Sequence, residues 1–269
     1  MSEPSNPVTT SEYAVSDIHK HPPALIDTFS ILAIDSAFDK CSVGLSTSVI
    51  RSIQSSNQPR KHADEVLTMV QSILNQHDLA LSSINAIAMI SGPGSFTGLR
   101  IGAAVTQGLA FGAGCQVVCV SSLAIMAFDS LRKRDQKNTS EITLIAVCVH
   151  ARESEFYFAV YSSDEAGFPT GKLPDQMLDV RQLKTTLEDL AISEVSHSRP
   201  LRWIASGAGW GHALLADLKT PFIEHDFNPS CDALLLADLA THQFHTGGGL
   251  SPEYALPVYL NDDLHYATV

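Results

Sequence analysis

The stretch INAIAMI-SGPGSFTGLRIG-AAVTQGLAFGAG, Ile84 to Gly114, decides how this chain is read. Its first seven residues form a short Ile-rich apolar run, the pattern of a buried strand. Ser91-Gly92-Pro93-Gly94 breaks that run, because clustered Gly and Pro cannot continue a hydrogen-bonded ladder. Ser95 can cap a helix by accepting a bond from an orphan N–H. In the helix that follows, Gly98 and Gly102 lie four apart, as do Gly108 and Gly112. Each glycine costs a helix about 1 kcal/mol relative to alanine, so four of them imply close approach by another backbone. A strand, a glycine turn and a helix N-terminus can also bind phosphate. The P-loop pattern is absent, however, since Leu99 and Arg100 follow Gly98 where lysine is required. Gly92, Gly94 and Gly98 miss the dinucleotide spacing as well. The spacing favours a tight turn and a closely packed helix over a phosphate cradle.

Outward from this stretch, 269 residues with 45% hydrophobic content suffice for one large or two modest domains. Lys and Arg number 17 against 29 Asp and Glu, a net charge of −12. Nucleic-acid binders carry a basic footprint, so no direct grip on RNA or DNA is expected. An acidic surface suits a basic protein partner. The five cysteines include no C-x-x-C pair and lie in or beside apolar stretches, which predicts reduced, buried thiols and a cytoplasmic location. No apolar run has the length of a membrane helix. Residues 1–28, rich in Ser, Pro, Thr and charge, read as a disordered extension, with His19 and His21 solvated rather than metal-binding.

Ile31–Ile34 begins the fold as a buried strand ending at Asp35-Ser36, and two short extended runs follow, Cys41–Ile50 and Arg51–Ser55. His62–His77 is helical, with Val66, Met69, Val70, Ile73 and Leu74 recurring at three and four. After the central strand and glycine helix, Val117–Val120 is a strand and Ser121 or Ser122 caps a helix to about Arg132. The polar junction 132–140 separates a lobe at 29–134 from one at 135–269, whose tail can pack back on the first. The second half reads as strands at Ile142–Val149 and Glu155–Tyr161, a loop at Asp164–Asp175 and a helix at Val180–Leu190. A strand at Trp203–Ser206 and helices at Trp210–Leu218 and Cys231–Phe244 follow, with a short strand at Phe222-Ile223 between those helices. Both halves run strand, strand, strand, helix, strand, helix, strand, helix, the third strand of the second half being weak. This order predicts an α/β chain of two ribonuclease-H-like lobes, the duplicated fold of the actin, hexokinase and Hsp70 group.

SGPGSFTGLRIG (91–102), with ILAIDSAFDKCSVGL (31–45) and KHADEVLTMVQSIL (61–74), resembles the bacterial TsaB family, also called YeaZ. HARESEFYFAVY (150–161), SGAGW (206–210) and PVYL (257–260) match in the same order. The resemblance implies a part in making the threonylcarbamoyl group of adenosine 37 in tRNAs that read ANN codons. It implies a non-catalytic subunit that holds the larger relative TsaD in a heterodimer. TsaD transfers the group, the ATPase TsaE joins the pair, and TsaC-type enzymes make the adenylate. It also implies a four-helix bundle with TsaD, built from the two N-lobe helices. The residues expected to carry it are His62, Val66, Met69, Val70 and Ile73 on the first, and Gly98, Gly102, Ala103, Thr106 and Ala110 on the second. The signature loop is Gly92, Pro93, Gly94, Ser95, Phe96, Thr97 and Gly98. The alternative is that these faces pack inward on the sheet.

The residue chemistry predicts no metal, no cofactor and no catalytic residue. His62 is followed four residues later by Val66, so the histidine pair of a related catalytic subunit is incomplete. Asp35 is followed by Ser36-Ala37-Phe38 without the glycine of a phosphate turn. Gly207-Ala208-Gly209 is a weak second candidate for such a turn. Ser95 and Cys41 lack evident His and carboxylate partners. His150 stands where the family usually has Asp, and Asn261 where Arg commonly follows PVYL; Arg152 reads as a structural tie. Two other readings stay open: a stand-alone ATP-using kinase or transferase of the same fold, and a homodimeric binding module that uses the same helices for itself.

Overall fold

The computed structural model describes residues 9–12, 29–56, 62–134, 141–194, 200–218, 222 and 224–260. The chain divides into two units, Met1–Ser122 with Cys231–Val258, and Leu123–Ser230 with Tyr259–Val269.

The first unit is built on a sheet in the order β1-β4-β3-β2-β5-β6. Its strands are β1 (Thr9–Glu12), β2 (Ile31–Asp35), β3 (Cys41–Ser46), β4 (Arg51–Ser56), β5 (Ala86–Gly92) and β6 (Gln116–Ser121). β2, β3 and β4 are antiparallel neighbours, while β5 and β6 run parallel to β2. β2 and β5 are buried along their whole length, which is why both read as unbroken apolar runs. Side chains alternate across the sheet. Leu32, Ile34, Val43, Leu45, Ile87 and Met89 point to one face and meet α1 (His62–Gln76) and α2 (Phe96–Ala113) there. On the opposite face lies α5 (Ala233–His245), entering so close to β3 that a Cβ on Gly44 would stand 2.8 Å from the Ala233 carbonyl oxygen. Arg51 on β4 pairs with Asp238 on α5 through both guanidinium nitrogens.

The second unit carries β7 (Ile142–Arg152), β8 (Glu155–Ser163), β9 (Pro169–Asp179), β10 (Leu201–Ser206) and β11 (Glu224–Asp226), ordered β11-β10-β7-β8-β9. With β1 set aside, each unit reads third, second, first, fourth, fifth strand from its antiparallel edge, so the topological repeat is real although no residue repeat is visible. α4 (Val180–Glu194) supplies Leu183 and Leu187 to a core with Phe156, Phe158 and Trp203. α3 (Ser122–Arg132) contains the division between the units. No helix among the described residues is long and apolar enough to cross a membrane.

The structure differs from the sequence reading in five places. The extension 1–28 lies outside the described residues, His19 and His21 included, except at Thr9–Glu12, which pair with β4 instead of being disordered. The boundary falls at Ser122/Leu123 rather than 134/135, and α5 belongs to the first unit, because the polar junction marks a connection and not a change of core. Much of the stretch read as a loop is β9: as an edge strand it tolerates Pro169 and Pro174, and register shifts in its pairing with β8 absorb the irregularity. The helix expected at Trp210–Leu218 is two single 3-10 turns, separated where His212 turns extended. The short strand placed at Phe222-Ile223 lies at Glu224–Asp226.

Candidate partner-binding helix face

The signature loop is held from several sides by its own chain. Ser95 caps α2, its hydroxyl accepting from the Gly98 N–H at 3.4 Å. The Ser95 N–H donates to the Ala37 carbonyl at 2.7 Å, and the Ser36 hydroxyl donates to the Gly98 carbonyl at 2.9 Å. The Ser122 hydroxyl donates to the Pro93 carbonyl at 2.6 Å, and the Val258 N–H to the Ser91 carbonyl at 2.7 Å. The glycines follow from this packing. A Cβ at Gly98 would overlap the Ser36 carbonyl oxygen, one at Gly94 would stand 2.7 Å from that of Ala37, and one at Gly102 would stand 2.7 Å from the Ser36 hydroxyl. The turn after β2 is therefore pressed against the start of α2.

The remaining polar candidates serve the fold in the same way. Asp35 is 1% exposed and accepts the Ala37 N–H at 3.0 Å. Burial lifts its carboxyl to about 7, offset in part by that bond, so it is a poor anionic ligand. In the second unit, Gly207 and Gly209 lie on the Cys148 carbonyl, where a Cβ at Gly209 would approach to 2.7 Å. Ligands of open α/β sheets bind beyond the carboxyl ends of the parallel strands. Here Ser206, at the end of β10, shares a 2.8 Å hydrogen bond with Ser130. The Asp226 carboxylate accepts from Ser130 at 2.9 Å and from Lys133 at 3.0 Å.

Val66 is buried in the core, and the His62 side chain lies outside the described residues. No group of three or more His, Cys, Asp or Glu among the described residues could share a metal ion. Burial pushes the Cys41 thiol up to about 12, with Asp35 and Glu65 adding to it, which leaves no thiolate for nucleophilic chemistry. His150 stacks on His212 with centroids 4.7 Å apart, and Arg152 ties the β7–β8 turn to Glu155 at 2.7 Å. Asn261 lies outside the described residues.

The helix faces correct the expected contact set. Val66, Met69, Val70 and Ile73 on α1, and Gly98, Gly102, Ala103, Thr106 and Ala110 on α2, are all buried within their own unit. The apolar periodicity that selected them is the signal of the side facing the sheet. The opposite side is the available one. It shows Leu67 on α1, 51% exposed, and Arg100, Ala104, Gly108 and Phe111 on α2, with Phe111 62% exposed. A Cβ at Gly108 would meet nothing within 4 Å, so internal packing does not require that glycine. At the start of α2, the Arg100 guanidinium lies 3.6 Å over the half-exposed Phe96 ring. The 100, 104, 108, 111 spacing was readable in the sequence as one helical stripe; its polarity was too mixed to stand out.

Residues 46–171 match a family model described as TsaD, tRNA N6-adenosine threonylcarbamoyltransferase. The chain is 32% identical over 237 residues to the tRNA threonylcarbamoyladenosine biosynthesis protein TsaB of Escherichia coli, spanning 87% of this chain and 95% of that one. It is 27% identical over 246 residues to the protein of that name from Haemophilus influenzae, spanning 89% and 96%. Among solved structures, YeaZ from Pseudomonas aeruginosa matches with a TM-score of 0.70 and 30% identity, over 86% of this chain and all of that one. With the strand order of both sheets, these likenesses show the α/β class of two ribonuclease-H-like units.

Proposed function

On the premise that this chain belongs to the TsaB family of tRNA threonylcarbamoyladenosine biosynthesis proteins, we propose that it is a non-catalytic subunit whose outward α1–α2 face binds TsaD. The observation that carries this reading is Gly108: a helix-weakening residue that its own fold does not need, on an exposed stripe between Ala104 and Phe111. Small residues let a partner helix approach closely, Phe111 supplies apolar area on the same stripe, and Leu67 supplies it on the outward side of α1. In this reading TsaD transfers the threonylcarbamoyl group to tRNA adenosine 37, TsaE joins through the pair, and tRNA is gripped elsewhere than on this acidic chain. The setting is the cytoplasm, in keeping with five reduced cysteines.

The test is reconstitution with a TsaC-type enzyme, TsaD and TsaE, scoring threonylcarbamoyladenosine in tRNA. Modification requires this chain, which alone neither modifies tRNA nor hydrolyses ATP, and Ala104→Arg loses co-purification with TsaD while remaining folded. Full modification without this chain, or undiminished capture by the Ala104→Arg form, removes the idea. The exposed Leu67 and Phe111 side chains also favour self-association when TsaD is absent. Light scattering with and without TsaD distinguishes an exchangeable homodimer from a permanent one.

A further inference from the structure

The outermost strand of the first sheet, β1, comes from a segment separated from the body of the fold by residues 13–28. It pairs antiparallel with β4 in the register Thr9↔Ser55, Thr10↔Gln54, Ser11↔Ile53 and Glu12↔Ser52. No tight hairpin joins the two strands. A strand of four residues makes few ladder bonds, and its hold depends on the covalent link that keeps it nearby.

β4 is anchored without β1. It pairs along all six residues with β3 on its other side. Gln54, buried, donates its carboxamide N–H to Ser72 on α1 at 2.9 Å. Arg51 grips Asp238 on α5 through two nitrogens. When β1 departs, β4 therefore stays in place, and the backbone groups that faced β1 become a template for strand addition. The register decides what fits there: an extended, proline-free segment running antiparallel, recognised through its backbone.

We propose that the outer edge of β4 is a preformed strand-accepting surface and that Thr9–Glu12 is its exchangeable intramolecular occupant. Its vacancy admits the same segment supplied in trans. The test is hydrogen exchange read by mass spectrometry on the full chain and on a Thr10→Pro/Ser11→Pro form. Adjacent residues of a strand alternate their N–H direction, so one of the two prolines removes a donor aimed at β4. Exchange at the amides of Ser52–Ser55 that face β1 rises about tenfold in the double variant, while β2 and β5 amides stay protected as the folding control. A synthetic peptide of residues 7–14, PVTTSEYA, added at millimolar concentration restores the protection. Exchange at Ser52–Ser55 that is the same in both chains, or faster exchange that the peptide leaves unaltered, overturns the proposal.

Discussion

Three glycine-to-alanine changes along α2 separate packing from partner contact by their size and sign. At Gly108 a Cβ meets nothing within 4 Å, so alanine contributes its helix preference alone and stabilises the subunit by about 1 kcal/mol. At Gly102 the same preference is gained, but the new Cβ stands 2.7 Å from the Ser36 hydroxyl. That hydroxyl is driven off the Gly98 carbonyl, which it bonds at 2.9 Å in the interior. Loss of a buried bond costs about 1–3 kcal/mol, and the net effect is a loss of about 1 kcal/mol. At Gly98 the Cβ overlaps the Ser36 backbone itself. The first turn of α2 must then shift, giving up the Ser36 bond and the Ser95 cap. With caps worth about 0.5–2 kcal/mol, the total loss is about 3 kcal/mol. Urea titration followed by circular dichroism orders the midpoints as Gly108→Ala, parent, Gly102→Ala, Gly98→Ala. A destabilised Gly108→Ala form, or a Gly98→Ala form within about 1 kcal/mol of the parent, contradicts this order.

Asp35 makes stability depend on pH. Its carboxyl, lifted by burial from an ordinary 3.8 to about 7, keeps a proton in the folded chain over a window where the unfolded chain has released it. Stability is thus full below pH ~4 and falls as pH rises to 7, by about 1.4 kcal/mol per unit and about 4 kcal/mol in all. Asp35→Asn removes that slope, so its stability relative to the parent is greater at pH 8 than at pH 4; equal differences at the two values, by urea titration, contradict it. Thr106 is buried with a hydroxyl that has no partner among the described residues, and Thr106→Val raises stability by about 1 kcal/mol, measured as a midpoint shift. Adjacent arginines on α2 differ in outcome: Ala103→Arg, pointing inward, unfolds the unit by about 3 kcal/mol or more, whereas Ala104→Arg leaves the melting profile in place and loses TsaD capture.

The sheet units were legible because their signals are local. An Ile-rich run closed by Gly-Pro-Gly, and apolar residues at three and four along 62–74, each require only their neighbours to be interpreted. β9 was not legible, because its polar, proline-bearing segment is a strand only by virtue of the β8 edge it pairs with. The lobe boundary was missed for a related reason. α5 reads as an apolar helix whichever sheet it covers, and Gly44 beneath Ala233 is what admits it to the first unit.

The candidate site divides along the same line. From the sequence alone came the family, Val66 four residues after His62, and Ser36-Ala37-Phe38, without a glycine, after Asp35. Those depend on residue identity at fixed spacing. Which side of α1 and α2 is open came only from the tertiary structure: periodicity identifies a helix's apolar stripe, and burial of that stripe against the sheet leaves the opposite one exposed. Four glycines looked alike in the chain. Only the position of Ser36, brought from sixty residues away by the parallel pairing of β2 with β5, separated the two that let the fold close from Gly108, which faces outward.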